Sequence, residues 1–158
     1  MKLFLLRHAK TQKPGKNQDD FDRDLMEKGI KQCALLSDYF SSKNYNIPTV
    51  HCSTAQRTQH TYARIKNSLS SHQLHLHNEL YLPSRTEMLK FVWEQKGGDD
   101  MMIIGHNNGI SDLAMYFLDE PLMLSTGGLV VLEFPFESWA ECSKATALCF
   151  DLYLPQVV

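Results

Sequence analysis

The stretch Met101-Met102-Ile103-Ile104-Gly105-His106-Asn107-Asn108-Gly109-Ile110 decides the fold. Four consecutive apolar residues, set between the Gly97-Gly98-Asp99-Asp100 turn cluster and Gly105, predict a strand buried on both faces, as at the centre of a parallel sheet. The residues after it predict a helix from about Ile110 to Leu118, with Leu113, Ala114, Phe117 and Leu118 on one face. Between the two lies a polar turn carrying His106. In open parallel sheets ligands bind beyond the carboxyl ends of the strands, so this turn is the first place to look for chemistry.

Towards the N-terminus the same alternation repeats. Lys2–Leu6 predicts a buried opening strand, followed by a long polar loop from Arg7 to about Asp22. Leu25 to about Tyr39 predicts a helix with Met26, Ile30, Cys33, Ala34 and Phe40 on its apolar stripe and Asp24 as its N-cap. Pro48–Cys52 predicts a second strand. Thr54–Leu69 predicts a second helix on the stripe Ala55, Thr58, Tyr62, Ile65 and Leu69, and Leu74–Leu80 an alternating third strand. Pro83, Ser84 and Glu87 introduce a third helix. Towards the C-terminus, Leu129–Phe134 and Ala147–Leu154 predict two strands joined without a helix, hence a hairpin. The expected fold is a three-layer α/β sandwich with a mostly parallel central sheet, helices on both faces and a C-terminal antiparallel hairpin. Residues 1–158 read as a single domain.

At 43% hydrophobic and 22% charged residues, the 158-residue chain has ordinary globular composition, which excludes disordered and fibrous classes. Sixteen Lys+Arg against eighteen Asp+Glu give a formal net charge of −2. No global cationic field is present to hold a polyanion, so nucleic acid is not an expected partner. The Leu3–Leu6 run is shorter than the roughly 7–15 apolar residues of a signal peptide, and nothing approaches the roughly 18 of a membrane helix. The expectation is a cytoplasmic protein with no membrane partner. Cys33, Cys52, Cys142 and Cys149 form no CxxC pair and read as reduced structural thiols, with Cys33, Cys52 and Cys149 in apolar-patterned segments.

Three polar clusters fall at predicted strand ends: Arg7-His8-Ala9-Lys10-Thr11, Ser53-Thr54-Ala55-Gln56-Arg57-Thr58, and Gly105-His106-Asn107-Asn108-Gly109. Two histidines and two arginines thereby converge on one crevice that also receives helix N-termini. The combination suits phosphate: guanidinium forks bind its oxygens bidentately, helix N-termini add fixed dipoles, and a neutral imidazole can attack phosphorus. A rival cluster is His72, His75 and His77, of which the last two would share a strand face and could bind a metal. Strand alternation with Leu74 and Leu76 explains the same spacing, and no further ligands with zinc-like spacing follow, so an exposed polar face is the preferred reading. Lys10, Lys13 and Lys16 read as a solvated loop rather than a docking patch.

These segments together resemble the histidine phosphatase superfamily, and within it the short SixA-like phosphohistidine phosphatase branch. Leu5-Leu6-Arg7-His8-Ala9-Lys10 resembles the family's Arg-His-Gly or Arg-His-Ala opening. Asp22-Arg23-Asp24-Leu25 with Lys28-Gly29 is similar to the branch's Asp-Arg-Pro-Leu-Thr-x-x-Gly segment. Ser53–Thr58 matches Ser-x-Ala-x-Arg-Thr, Ile104–Gly109 resembles Val-Gly-His-Asn-Pro-Gly, and Ser125-Thr126-Gly127-Gly128 resembles Pro-Thr-Gly-Ala. Asp24 and Asn108 each replace a family proline, and neither position is one whose side chain is expected to contact phosphate.

The resemblance implies a phosphatase in which His8 is the nucleophile and becomes phosphorylated, while Arg7, Arg57 and His106 hold the non-bridging oxygens. It implies no metal and no other cofactor. Larger relatives take a general acid from a Glu or Asp after the third strand; Glu79 falls in that region and is the candidate, a surface carboxylate at a strand end being the alternative. His8 must be neutral at the attacking nitrogen, so its other N–H should meet a backbone carbonyl or similar acceptor. The segments between strands leave no residues for the helical cap found in larger relatives, which implies an open pocket and a phosphorylated protein, above all phosphohistidine, as partner and substrate. A phosphatase of small phosphomonoesters and a non-catalytic phosphate-binding module are the alternatives.

Overall fold

The computed structural model describes residues 1–156 and contains a six-stranded sheet in the order β3-β2-β4-β1-β5-β6. The strands are β1 (Lys2–Arg7), β2 (Thr49–Ser53), β3 (Gln73–His77), β4 (Met101–Gly105), β5 (Leu129–Glu133) and β6 (Leu148–Tyr153). Four longer helices, α1 (Glu27–Lys43), α2 (Gln56–Ile65), α3 (Arg85–Trp93) and α4 (Gly109–Leu118), connect the parallel part. β4 lies between β2 and β1 and runs parallel to both, with Leu6 opposite Ile104 and Cys52 opposite Ile104 across the two ladders. β5 and β6 are antiparallel to their neighbours. The mostly parallel sandwich and the C-terminal hairpin are therefore as the sequence predicts.

The run Leu3–Leu6 is continuous because both faces of the sheet are covered. Leu3, Leu5, Met101 and Ile103 pack into one core with Met88, Phe91 and Val92 of α3 and Leu113 and Phe117 of α4. Phe4, Leu6, Met102 and Ile104 pack into the other, with Cys33, Leu36 and Phe40 of α1 and Ile65 of α2. Each such side chain contributes roughly 1.5–3 kcal/mol by leaving water. Among the described residues, no helix is long and apolar enough to cross a membrane.

Several element details differ from the sequence reading. α1 starts at Glu27 with Met26 at the N-cap position and no side-chain cap, so Asp24 is not its cap. Residues 24–26 are instead extended: Gln12 donates to the Asp24 carbonyl, Met26 donates to the Lys10 carbonyl, and Thr11 bridges Leu25. The helix is also rotated from the predicted stripe. Gly29, Cys33, Leu36 and Phe40 are buried, whereas Met26, Ile30 and Ala34 are exposed. The cause is Gly29, where a Cβ would stand 2.1 Å from the Lys10 carbonyl oxygen; only glycine lets the helix press on that loop.

α2 ends at Ile65 and tightens into a 3₁₀ turn, and β3 stops at His77 before another 3₁₀ turn over Asn78–Leu80. Both sheet edges are less covered than expected. Leu74 and Leu76 on β3 and Leu148, Phe150 and Leu152 on β6 are exposed. Cys149 on β6 is exposed too, contrary to its apolar pattern, while the other three thiols are buried. All four cysteines are free.

Candidate active site

β1, β2 and β4 end side by side, and their carboxyl ends deliver Arg7 and His8, Ser53, and Gly105 and His106 to one crevice. Backbone bonds lock the turn after β1: the His8 N–H donates to the Gly105 carbonyl at 3.0 Å, and the Gly127 N–H reaches the carbonyls of Arg7 and His8 at 3.1 and 2.9 Å. Gly127 has a φ of 71°, which favours glycine, and this accounts for the Thr-Gly-Gly sequence there. Arg57 comes from the first turn of α2. The resulting cavity, about 270 Å³, is lined by Arg7, His8, Arg57 and His106. Four of the five site residues read from the sequence thus meet in one pocket.

His8 donates its Nδ1–H to the Ala9 carbonyl at 2.8 Å, which supplies the acceptor the sequence reading required. The tautomer so fixed carries its lone pair on Nε2. Burial lowers the His8 pKa, the charges of Arg57, Arg7 and Arg23 lower it further, and together they outweigh the carbonyl to leave it at about 4. The imidazole is neutral near pH 7. The His106 ring stands beside it, with centroids 5.3 Å apart. Ser53 Oγ accepts from the Ala55 N–H and also pairs with His106 Nε2 at 2.8 Å, while His106 Nδ1 has no partner among the described residues. Burial, then the neighbouring His8 and Arg57, holds the His106 pKa at about 3.

Arg57 is 1% exposed and makes two bonds to Asp20, Nη1 to the carbonyl at 2.7 Å and Nη2 to Oδ2 at 3.0 Å. Arg7 uses Nη1 on the Leu124 carbonyl at 2.8 Å. Three buried side-chain nitrogens lack any partner among the described residues: Arg7 Nε, Arg57 Nε and His106 Nδ1. A buried donor left unbonded costs about 1–3 kcal/mol. All three belong to residues that line the pocket.

Four contributors were not singled out from the sequence. Arg23 lines the pocket and bonds Asp20 Oδ1 through Nε at 2.9 Å and Thr11 Oγ1 through Nη1 at 3.0 Å. Its signal was present, since it sits within the quoted Asp-Arg-Asp-Leu segment. Asp20 joins Arg57, Arg23 and the Tyr81 hydroxyl, which donates to its Oδ2 at 2.7 Å. Burial acts to raise the Asp20 pKa, but hydrogen bonds from Tyr81 and Arg57 and the charges of Arg57 and Arg23 prevail and hold it at about 2. Ser53, at the end of β2, orients His106. No local pattern marks Asp20 or Tyr81, because their roles arise from contacts across 37 and 61 positions of chain.

Glu79 lies outside this pocket, in the turn after β3. Its side chain is 69% exposed and stands 3.7 Å from His77 Nδ1, on a neighbouring groove. The histidine cluster gains a member from β2: His51 Nδ1 and His77 Nε2 are 2.9 Å apart, and His75 stacks on His51. His72 is apart, bonded to the Tyr62 hydroxyl and the Ser70 carbonyl. Among the described residues no three His, Cys, Asp or Glu side chains are placed to hold a metal ion.

The buried imidazoles make stability depend on pH in a stated direction. His8 and His51, at about 4, and His106, at about 3, lie below the ordinary 6.5. The stability their neutral forms contribute is complete above 6.5 and is lost as pH falls towards 4, because the unfolded chain takes up the protons first. The urea midpoint should therefore decline between pH 7 and pH 5, and His51→Gln should flatten that decline. A midpoint constant over this window would contradict these assignments.

The family model for the histidine phosphatase superfamily (branch 1) matches residues 3–81. No curated protein sequence matches the chain. Among solved structures, the Agrobacterium tumefaciens protein assigned as phosphohistidine phosphatase SixA superposes with a TM-score of 0.85 at 23% identity, covering 98% of this chain and 97% of that one. Its Nakamurella multipartitia counterpart gives 0.83 at 24% identity, covering 99% and 96%. The protein histidine phosphatase SixA complexed with tungstate gives 0.79 at 15% identity, covering 96% of each. These likenesses agree on the fold, and the family match spans half of the sequence, including the β1 turn with His8 and the helix start with Arg57. The chain belongs to the histidine phosphatase superfamily.

Proposed function

We propose that the chain is a metal-independent phosphatase that removes phosphoryl groups from protein phosphohistidine through a phosphohistidine intermediate on His8. The observation that carries this reading is the pairing of His8 Nδ1 with the Ala9 carbonyl, which leaves a neutral imidazole with its Nε2 lone pair in a pocket of cationic and N–H donors. Nε2 attacks phosphorus, the P–N bond of a substrate phosphohistidine protonated on its other ring nitrogen breaks, and the electron pair leaves with the departing neutral imidazole. Water then attacks the phosphoryl group on His8, the new P–N bond breaks, and inorganic phosphate leaves. Arg7, Arg57 and His106 counter the charge on the transferring group in both steps.

The leaving imidazole of a phosphohistidine is already a good leaving group when protonated, so the reaction makes little demand on a general acid. Glu79, exposed and outside the pocket, is then not required at the phosphoryl group. We read residues 1–158 as one domain, and among the described residues no helical segment inserted between the strands caps the pocket, which leaves the crevice accessible to a phosphoryl group displayed on a protein. The SixA proteins of similar fold are named for that substrate.

The test compares kcat/KM, in EDTA, for a phosphohistidine-bearing protein and for p-nitrophenyl phosphate. The phosphoprotein should be preferred, because a small ester gains contacts through little beyond its phosphate. Deleting residues 13–18, which spares the Thr11 and Asp20 contacts, should lower the former value more than the latter. Preference for the ester, with the deletion harmless to both, would make the chain a small-molecule phosphatase.

A further inference from the structure

A second cavity of about 360 Å³ adjoins the phosphate pocket, between α3 and the segment 79–83. Leu82 lines both, which makes Tyr81-Leu82 the sill between them. The sill is held in place from the pocket side. The Tyr81 hydroxyl bonds Asp20, its ring stands edge-on to His106 at 5.5 Å, and the Arg57 guanidinium lies 5.8 Å from its centroid. Leu82 is 52% exposed and has a φ of 48°, a left-handed conformation uncommon for a leucine. Leu82 thus presents an apolar side chain at the mouth of the pocket.

The groove beyond the sill is floored by Tyr81, Pro83 and Phe91 and edged by Glu79, Glu87 and Glu94 against a single Lys90. Among the described residues Glu79 pairs with no Lys or Arg; its ion-pair neighbour is His77 at 3.7 Å, an imidazole whose pKa burial lowers. Lys90 and Glu94 are both exposed and 3.8 Å apart, a pair worth little in water. Glu87 is the one carboxylate with a structural task, accepting from the Ser84 N–H and hydroxyl to cap α3. A cationic pocket thus opens directly onto an acidic, apolar-floored groove.

We propose that this groove docks the segment of the substrate protein next to its phosphohistidine, and that the segment carries Lys or Arg side chains among apolar ones. The inference rests on the phosphoprotein reading above and names the substrate surface it acts on. A protein whose phosphoryl group sits between His8 and Arg57 must lay adjoining surface across Leu82, and the complement of this charge pattern is an anionic phosphoryl group flanked by basic residues. Acidic flanks meet Glu79 and Glu94 instead and are rejected. Glu79 acts here in selecting the substrate.

Two synthetic peptides of equal length, each with one phosphohistidine, test this: one flanked by Lys and Leu, the other by Glu and Leu, with p-nitrophenyl phosphate as the small probe. The wild-type protein should favour the basic peptide in kcat/KM by about threefold to tenfold at low salt, less in high salt. Glu94→Lys should reduce that ratio and Lys90→Glu should raise it, while both leave p-nitrophenyl phosphate hydrolysis unchanged. Equal rates on the two peptides, or a ratio indifferent to both substitutions, overturns the groove assignment and leaves the phosphohistidine reading standing. Hydrolysis of p-nitrophenyl phosphate with neither peptide cleaved overturns both.

Discussion

His8→Ala is expected to lose turnover by more than about a hundredfold with the fold intact. The side chain is replaced by one that offers no lone pair, and a covalent route cannot be run by the remaining clamp alone. His106, the one other imidazole lining the pocket among the described residues, cannot take over. Its Nε2 is engaged with Ser53 Oγ at 2.8 Å, so it does not present the free Nε2 that His8 presents. His106→Ala should therefore impair the reaction as loss of a donor, while His8→Ala removes the nucleophile. A His8→Ala protein that keeps more than about a hundredth of the wild-type rate would remove the covalent route from the account.

Arg57→Ala is expected to cost on the order of 10²–10³ in rate, the usual effect of deleting one preorganised charge-stabilising donor. Arg57→Lys should recover little of it. The guanidinium engages Asp20 through both Nη atoms, with its Nε unpartnered beside the pocket. An ammonium is a point charge and cannot reproduce that fork. Since Arg57 is almost wholly buried and carries a salt bridge to Asp20, each variant needs its melting temperature measured beside its kinetics. Near-normal kinetics in Arg57→Lys would sink the bidentate role.

The sequence carried the architecture because the strands of a parallel sheet are buried on both faces and show as unbroken apolar runs such as Leu3–Leu6 and Met101–Ile104. It brought Arg7, His8, Arg57 and His106 to one crevice because strand ends are where such sheets place their ligands, while the roles proposed for them come from the family resemblance. What escaped it depends on contacts that no local period encodes. The rotation of α1 is set by Gly29 against the Lys10 carbonyl, a backbone approach rather than a hydrophobic stripe. Asp20 reaches Arg57 and Tyr81 only because the loop after β1 returns to the rim of the crevice. Glu79 shows the limit of placement by region: the turn after β3 is where the resemblance looks for an acid, and the 3₁₀ turn there directs that carboxylate to the neighbouring groove. Cys149 shows the limit of apolar pattern, since an edge strand can be patterned like a core strand and still face water.

The central claim is that His8 attacks with Nε2. Phosphohistidine is labile in acid and stable in alkali, so the enzyme can be mixed briefly with excess substrate, denatured in alkali, and examined by phosphorus NMR together with peptide mapping. The Nδ1–H bond to the Ala9 carbonyl predicts a single species, phosphorylated on Nε2 of His8 and absent from His8→Ala. A phosphoryl group on Nδ1 of His8, on His106, or on no residue at all during turnover would contradict it.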